Sequence, residues 1–326
     1  MRLCLLVLMG ASVAGAQSGS SGLLAVVNQK EHAVVLVDPV TKTSVASISV
    51  GVNGHEIAAS PDGKRLYVPI YGSAGVGRPG TDGSTIDVID IASRKVVDTI
   101  DLGRPLRPHK DVFGPDGLLY VTGELANAVE VVDVTKRAIV GEVPTGQMES
   151  HLLAITRDGR RGYTANVDAG SVSVLDLTGR KLVTVLPLTK RVQRMALSND
   201  ERWAFTSDID LGRVAVIDTK TNTLSRWVPM GGMPYVTQPT ADGKYLLVSE
   251  TKGTQGQLEV VDLATWAVVH RYPLPSPGTG GFLLHGGRAY LSVPLSGTVH
   301  VLNPATWQME APIVLTPGTD GLAWAR

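Results

Sequence analysis

Residues 151–188 read HLLAITRDGRRGYTANVDAGSVSVLDLTGRKLVTVLPL and contain four apolar runs separated by turn residues. The runs, which we name strands A to D, cover residues 151–156, 162–166, 171–177 and 182–188. Short runs that are rich in β-branched residues and bounded by Asp-Gly or Gly turns are typical of strands and hairpins. The segment therefore predicts a four-stranded antiparallel unit.

Strand C of this unit recurs along the whole chain as an apolar segment that ends in an acid or an amide. Its end residues are Asp38, Asp90, Asp133, Asp176, Asp218, Asp262 and Asn303. They follow one another at steps of 52, 43, 43, 42, 44 and 41 residues. A period of about 40 residues made only of strands and turns is typical of a β-propeller with one repeat per blade. The sequence thus predicts an all-β fold, a seven-bladed β-propeller of four-stranded antiparallel blades.

The two ends of the chain carry complementary parts of one blade. Residues 24–28 align with strand B, whereas residues 319–325 align with strand A. We expect the C-terminal strand to join the N-terminal blade and close the ring, which removes free sheet edges. Residues 23–326 are therefore predicted to form a single domain.

The first 16 residues have the pattern of a secretory signal peptide. Arg2 precedes an apolar run at residues 3–11, and Ala14-Gly15-Ala16 is a small-residue cleavage site. Residues 17–22 are predicted to be a short flexible N-terminus. The one cysteine, Cys4, lies in the cleaved segment, so the mature chain has neither disulfides nor thiolate metal sites. We expect an exported protein, periplasmic or extracellular, with no membrane span in the mature chain.

The charges of the chain are balanced, with 30 Lys and Arg against 30 Asp and Glu. A chain without a global positive field does not recruit nucleic acid. The expected partner is an unidentified protein or a small anionic ligand, and we expect a monomer.

Several segments resemble the YVTN repeat. They are Leu66-Tyr67-Val68, Leu119-Tyr120-Val121-Thr122, Gly162-Tyr163-Thr164-Ala165-Asn166, Ser60-Pro61-Asp62-Gly63 and Val216-Ile217-Asp218-Thr219. The resemblance covers residues 23–326 and implies the propeller fold of the YVTN-repeat family, which includes surface-layer-type proteins. It also implies a range of functions, since such proteins include periplasmic binding proteins, metal chaperones and a minority of enzymes. The repeated residues themselves are most simply interpreted as turn-fixing groups.

The start of strand A in each blade faces the mouth of the central channel. Alignment of the blades places one residue of each there: His55, His109, His151, Gln193, Tyr235, Gly280 and Asp320. Imidazoles together with a carboxylate suit zinc or copper. One hypothesis is therefore a metal site formed by His55, His109, His151 and Asp320. The alternative is that tandem copying placed histidine three times in a wet channel lining.

Basic residues in the loops that enter blades 3 and 5 suggest an anion site. They are Arg104, Arg107, Lys110, Arg191 and Arg194. The alternative is that acids at the ends of strands B on the same face, such as Glu124 and Asp208, pair with these cations and cancel their field.

Residues 72–85 (GSAGVGRPGTDGST) interrupt blade 2 between strands B and C, beside His55. The insertion is either a lid or specificity loop over the histidine face, or a tolerated surface insertion.

We favour a non-enzymatic binding or scaffold module that uses its histidine-bearing channel face. No nucleophile elbow, His-Glu-x-x-His motif or haem-attachment motif occurs in the sequence. The second hypothesis is a periplasmic metal-binding or metal-chaperone protein that holds Zn or Cu. The third is a metal-assisted hydrolase or lyase that acts on a lactone or a sugar acid.

Overall fold

The computed structural model describes residues 22–75 and 78–326, and all of their regular elements are β-strands. The predicted signal peptide at residues 1–16 lies outside the described residues. Within them, no helix has the length and apolarity needed to cross a membrane.

The strands form seven antiparallel sheets, one per blade. Blades 1 and 2 contain β1 (Leu23–Asn28), β2 (Ala33–Asp38), β3 (Thr43–Ser49), β4 (Ala58–Ala59), β5 (Arg65–Gly72), β6 (Asp82–Asp90) and β7 (Lys95–Asp101). Blades 3 and 4 contain β8 (Pro108–Phe113), β9 (Leu119–Gly123), β10 (Ala128–Asp133), β11 (Ala138–Pro144), β12 (Ser150–Ile155), β13 (Arg161–Asn166), β14 (Ser171–Asp176) and β15 (Lys181–Pro187).

Blades 5 and 6 continue the same order. They contain β16 (Val192–Leu197), β17 (Trp203–Asp208), β18 (Arg213–Asp218), β19 (Thr223–Pro229), β20 (Met233–Pro239), β21 (Tyr245–Lys252), β22 (Gln255–Asp262) and β23 (Val268–Leu274). Blade 7 contains β24 (Phe282–His285), β25 (Arg288–Val293), β26 (Thr298–Asn303), β27 (Gln308–Met309) and β28 (Ile313–Val314). The last two are short pieces that both pair with β26.

The final strand, β29 (Thr319–Ala325), belongs to blade 1. It pairs antiparallel with β1, with Leu24 opposite Trp324 and Ala25 opposite Ala323. The order of blade 1 is therefore β29-β1-β2-β3. This confirms the predicted fold class and the predicted closure of the ring by the C-terminal strand.

The acid that ends each strand C has a structural role in the turn that follows it. Asp38 accepts hydrogen bonds from the backbone amides of Val40 and Thr41 through Oδ1. Four residues after this acid or amide, every blade has a non-glycine residue with φ between 50° and 63°: Lys42, Arg94, Arg137, Arg180, Asn222, Trp266 and Trp307. The repeated acid thus caps a turn whose left-handed position recurs in all seven blades.

The hydrophobic core lies between the blades. In one cluster Tyr67 and Ile86 of blade 2 pack with Leu119 and Val121 of blade 3. On the face opposite the histidines, edge-to-face ring pairs join neighbouring blades: Trp203 with Trp266 at 6.0 Å and Tyr245 with Trp307 at 4.8 Å. Trp266 and Trp307 therefore pack against the preceding blade.

The interruption in blade 2 is shorter than the sequence indicated. β5 runs to Gly72 and β6 begins at Asp82, so residues 82–85 belong to a strand. Gly72 pairs with Asp82 after a register shift. Gly75 and Arg78, in the connection, lie at the channel mouth and line its cavity.

Removal of residues 319–326 is expected to unfold the protein. The deletion removes the inner strand of blade 1. It exposes the apolar side chains that pack against Leu322 and Ala323, two residues that are only 8% and 5% exposed in the intact protein. Each large buried apolar side chain contributes about 1.5–3 kcal/mol, against a total stability of about 5–15 kcal/mol. Urea unfolding followed by circular dichroism measures the loss.

A circular permutant is the matched control. Residues 319–326 fused directly before Gly22 should restore cooperative unfolding, because Ala325 already lies opposite Leu23. An unchanged urea midpoint in the deletion variant would show that β29 does not close the ring.

Blade 6 contains two buried carboxylates at its channel end, Glu250 and Glu259. Glu250 accepts a hydrogen bond from the Gly232 amide, while Arg271 donates to Glu259 at 2.7 Å. Burial raises the pKa of Glu250, and the charge of Glu259 raises it further. The folded protein therefore binds the proton of the Glu250 carboxyl more tightly than the unfolded chain does. The stability that this protonation contributes is lost as pH rises through the pKa of Glu250 in the folded protein.

Glu250→Gln is expected to stabilise the protein at pH 8 more than at pH 4, because glutamine carries no charge beside Glu259. Urea midpoints at the two pH values measure the difference. The exposed Glu31→Gln variant controls for the loss of one negative charge. A gain of equal size at both pH values would contradict the assignment to Glu250.

Candidate ligand site at the channel mouth

The inner strands carry bulges where they enter the channel. In β8, β12, β16, β20 and β29 the register shifts, so that one extra residue is inserted opposite the neighbouring strand. The bulged segments contain His109, His151, Arg194, Tyr235 and Asp320. A bulge redirects side chains and is common beside functional sites. The bulges therefore explain why these side chains line the channel mouth. In a regular strand, successive side chains would point to opposite faces of the sheet.

Three imidazoles from consecutive blades form a stack of tilted rings at this mouth, with interplanar angles of 35° and 37°. The ring centroids of His55 and His109 lie 4.9 Å apart, and those of His109 and His151 lie 3.7 Å apart. Tyr71 packs edge-on against His55 and His109. Burial lowers the pKa of His109 well below its usual range, and the neighbouring His151 and His55 lower it further. His109 is therefore neutral at physiological pH.

His151 is held by a buried carboxylate. Its Nδ1 contacts Glu124, whose other oxygen accepts a hydrogen bond from the Tyr71 hydroxyl. The Thr122 hydroxyl donates to the backbone carbonyl of His151 at 2.9 Å. With Nδ1 engaged, Nε2 is the nitrogen that remains to bind a metal or accept a proton.

His109, Glu124 and His151 each offer a ligand atom, and these atoms lie within 4.8 Å of one another. All three residues are buried, and in the described part of the chain this is the one group of its kind. Nδ1 of His109 has no hydrogen-bond partner among the described residues. An unpaired buried nitrogen is costly, and a bound ion would satisfy it.

The predicted metal set is thus divided in the structure. His55 belongs to the imidazole stack, but its Nδ1 faces Gln29 at 2.5 Å and Asp320 at 3.2 Å. Gln29 also donates to Asp320. His55 and Asp320 therefore form a separate pair beside the ligand group, whereas Glu124, which the sequence analysis had considered only as a countercharge, lies within it.

A network of buried charges crosses the channel beneath the histidines. Arg194 of blade 5 pairs with Glu56 of blade 2 and lies 3.7 Å from Asp320 of blade 1. Lys110 pairs with the other oxygen of Glu56 at 3.0 Å. Burial opposes the ionisation of Glu56, but Lys110 and Arg194 outweigh it and hold the pKa of this carboxyl well below its usual range. Glu56 is therefore a carboxylate between two cations.

Asp111 stands apart from this network. It is 1% exposed, and neither of its carboxyl oxygens has a hydrogen-bond partner among the described residues. Burial raises its pKa to about 8, so the neutral form predominates at pH 7.

The cavity above these groups has a volume of about 420 Å³. It is lined by Gln29, His55, Gly75, Arg78, His109, His151, Gln193, Arg194, Tyr235, Thr279, Pro294 and Asp320. The size lies within the range of small-molecule sites, roughly 300–1,000 Å³. Six of the seven residues that the alignment of strands A placed at the channel mouth line this cavity. In blade 7 the lining residue is Thr279 instead of the predicted Gly280.

The predicted anion-binding residues do not form one cluster. Arg104 and Arg191 are not among the residues that line the cavity, and they pair with Glu130 and Glu142 and with Asp210, respectively. The other three lie closer to the mouth. Arg107 pairs with Asp82, Lys110 pairs with Glu56, and Arg194 lines the cavity itself.

Two residues of the site, Glu124 and Tyr71, were missed by sequence reasoning. Both lie at the channel end of strand B, one position after Gly123 and Ile70, and the equivalent residue of blade 1 is Gln29, which contacts His55 and Asp320. A polar residue at this aligned position, beside a blade that carries histidine, was the available signal.

A family model described as the cytochrome D1 heme domain matches residues 113–241. The matched segment begins at the end of β8 and reaches past β20, so it contains His151, Gln193, Arg194 and Tyr235. No curated protein matches the chain significantly.

Solved structures share the architecture at low sequence identity. A functionally unknown protein from Desulfotomaculum acetoxidans DSM 771 aligns with a TM-score of 0.73 and 15% identity, over 94% of this chain and 99% of that one. The periplasmic gluconolactonase PpgL of Pseudomonas aeruginosa aligns with a TM-score of 0.70 and 18% identity, over 94% and 99% of the two chains.

A third similar structure is the dihydro-heme d1 dehydrogenase NirN in complex with DHE. It aligns with a TM-score of 0.66 and 18% identity, over 92% of this chain and 74% of that chain. At these identities the similarity establishes the propeller fold, and the chain is a seven-bladed propeller with a match to the cytochrome D1 heme domain model over residues 113–241.

Proposed function

We propose that the protein is an exported binding protein that holds a transition metal, zinc or copper, at the channel mouth. The observation that carries this proposal is the buried group of His109, Glu124 and His151, whose ligand atoms lie within 4.8 Å of one another. Neutral imidazoles are ligands that these metals take in proteins, and a carboxylate bonded to a ligating imidazole orients it from the outer shell. Export follows from the expected signal peptide and is supported by the similar periplasmic gluconolactonase fold.

The surroundings of the group support metal binding in two ways. The lowered pKa of His109 keeps its imidazole neutral, which is the form that binds metal. The contact between Glu124 and Nδ1 of His151 fixes the ring orientation, as the carboxylate does in carboxylate–histidine–metal arrangements.

The second candidate for the bound metal is an iron held in a tetrapyrrole. The match to the cytochrome D1 heme domain model suggests it. The donor chemistry of the lining fits this group, because His109, whose Nδ1 has no hydrogen-bond partner among the described residues, lines the cavity together with His151. His109 or His151 would hold the iron. A bound haem would supply electron-transfer or redox chemistry.

Metal analysis tests the proposal. The full chain, dialysed against limiting zinc and copper, is expected to retain about one metal per molecule by elemental mass spectrometry. His109→Ala and His151→Ala should each abolish retention, and Glu124→Gln should weaken the affinity about 10–100-fold. Titration with haemin, followed in the Soret region, distinguishes a tetrapyrrole site from a bare-ion site.

His270→Ala is the matched control, since His270 stacks on Trp307 outside the channel. It should retain metal like the wild type. Retention of metal by the double variant His109→Ala/His151→Ala, or the absence of both metal and haemin binding in the wild type, would refute the proposal.

Lactone hydrolysis is the second candidate function. It is favoured by the Glu124–His151 pair, which supplies an oriented base that the sequence had not revealed, and by similarity to the fold of a gluconolactonase. In this reaction Nε2 of His151 takes a proton from water, and the water oxygen attacks the lactone carbonyl carbon. The ring C–O bond then breaks, and the leaving alkoxide takes the proton from His151. Glu124 stabilises the imidazolium formed in between.

Turnover of a panel of aldonolactones, followed by acid release, tests this candidate. His151→Ala is expected to lower kcat by about 10²–10⁴-fold, the usual contribution of a general base. Glu124→Gln should lower kcat more than it changes KM, whereas His270→Ala should match the wild type. An inactive wild type would exclude the hydrolase and leave metal binding unaffected.

A further inference from the structure

The connection between β5 and β6 is built onto the cavity. Arg78 and Gly75 in this connection both line the cavity with the histidines. Their backbones are joined to each other, since the Arg78 amide donates to the Gly75 carbonyl at 2.8 Å and the reverse bond measures 3.4 Å. The Thr81 amide also donates to the Ser73 hydroxyl at 3.0 Å. The two lining residues thus belong to a hydrogen-bonded hairpin.

Arg107 fixes this hairpin over the channel mouth. Its Nε donates to Asp82 at 2.6 Å, Nη1 donates to the Gly75 carbonyl at 3.1 Å, and Nη2 donates to the Arg78 carbonyl at 3.3 Å. Its side chain is 12% exposed, and its backbone has φ of 48°. A guanidinium that bonds both carbonyls and the following strand sets the position of Arg78 relative to the inner strands.

The guanidinium of Arg78 is the unneutralised cation of the cavity. Arg194 is balanced by Glu56 and Asp320, and Lys110 beneath it is balanced by Glu56. Arg78 is exposed, and within residues 22–75 and 78–326 its side chain makes no ion pair or hydrogen bond. Its five N–H donors are therefore free to receive a ligand.

The rest of the lining offers neutral polar groups around this cation. Gln193, Tyr235 and Thr279 contribute amide and hydroxyl groups, and His109 is neutral. The one carboxylate of the lining, Asp320, is already held by Gln29 and faces His55 and Arg194. A small anion that enters the cavity thus meets the free N–H donors of the Arg78 guanidinium. The carboxylate of the lining, Asp320, is already bound by other groups.

We propose that the ligand of this site is a small molecule with an oxyanion group, carboxylate or phosphate, that Arg78 binds in a bidentate manner. Arg107 is the positioning residue that holds Arg78 over the cavity. The inference rests on the proposed function only in that both use the same cavity. The planar fork of arginine matches carboxylate and phosphate oxygens, which a lysine point charge does not.

Calorimetric titration of the metal-free full chain with sodium succinate and, separately, with inorganic phosphate tests the proposal. The wild type is expected to bind at least one of the two probes at low ionic strength, and the preferred probe identifies the oxyanion as carboxylate or phosphate. Arg78→Ala should weaken that binding about tenfold or more, as expected for charge-assisted hydrogen bonds. Arg78→Lys should bind with intermediate affinity.

Arg104→Ala is the matched control, because Arg104 precedes Arg107 in the same loop but pairs with Glu130 and Glu142 outside the cavity. It should bind like the wild type. Arg107→Ala should weaken anion binding in the wild-type background but have little further effect in the Arg78→Ala background, a non-additivity that general destabilisation of the site would not produce.

Binding of neither probe by the wild type, or equal binding by Arg78→Ala and the wild type, would overturn the proposal. Because the titration uses metal-free protein, its outcome is independent of metal retention. Loss of metal binding with intact anion binding would refute the metal centre alone, and the reverse would refute the role of Arg78 alone.

Discussion

The antiparallel pairing of β29 with β1 is the interaction on which the ring and its site both depend. It brings the two ends of the chain into one blade, so Gln29 hydrogen-bonds Asp320 across 291 positions of sequence. Both residues then lie beside His55. In the same ring the inner strands converge on the channel, and Arg194 meets Glu56 across 138 positions. Closure is therefore a condition for the site as well as for the fold.

Among the non-glycine residues with a left-handed backbone, two groups separate fold from site. One kind recurs four residues after strand C in every blade, as at Lys42 and Trp307, and belongs to the repeated turn. The other kind occurs where chains enter the inner strands of particular blades, at Arg107, Glu149 and Arg194. Non-glycine residues in this conformation cost about 1–2 kcal/mol each. Strain at this second group of positions, which does not belong to the repeated turn, is typical of functional residues.

The fold was predictable because its signals are local and repeated. The acid after each strand C caps its own turn, and the partial blades at the two chain ends follow from the order of the strands. The alignment also placed His55, His109, His151 and Asp320 at one mouth, where the structure has them. Which of their atoms converge was not predictable. One extra residue in each bulge redirects the side chains, and no periodicity encodes the bulge.

The predicted anion cluster illustrates a second limit of sequence reasoning. Arg104 and Arg191 share a face with Arg194, but each has an acid within reach on its own or a neighbouring strand, at Glu142 and Asp210. Local pairing therefore determines where their guanidinium groups point. Arg78 was not in the predicted set. Its proposed role depends on two structural facts: it has no ion-pair partner among the described residues, and Arg107 holds its backbone over the cavity.

The buried charges at the channel mouth cannot be explained by stability. Glu56, Glu124, Arg194 and Asp320 are each at most 6% exposed. Removing a charge from water costs several kcal/mol, and apolar residues of similar size commonly replace a buried ion pair without loss of stability. The seven blades already have apolar cores between them, and blade 7 enters the channel with glycine instead of a charge, at Gly280 and Gly281. A propeller of this repeat thus closes without an ionised residue at that position. Two of these carboxylates, Glu124 and Asp320, instead contact His151 and His55, so their physical effect is to orient imidazoles at the channel mouth.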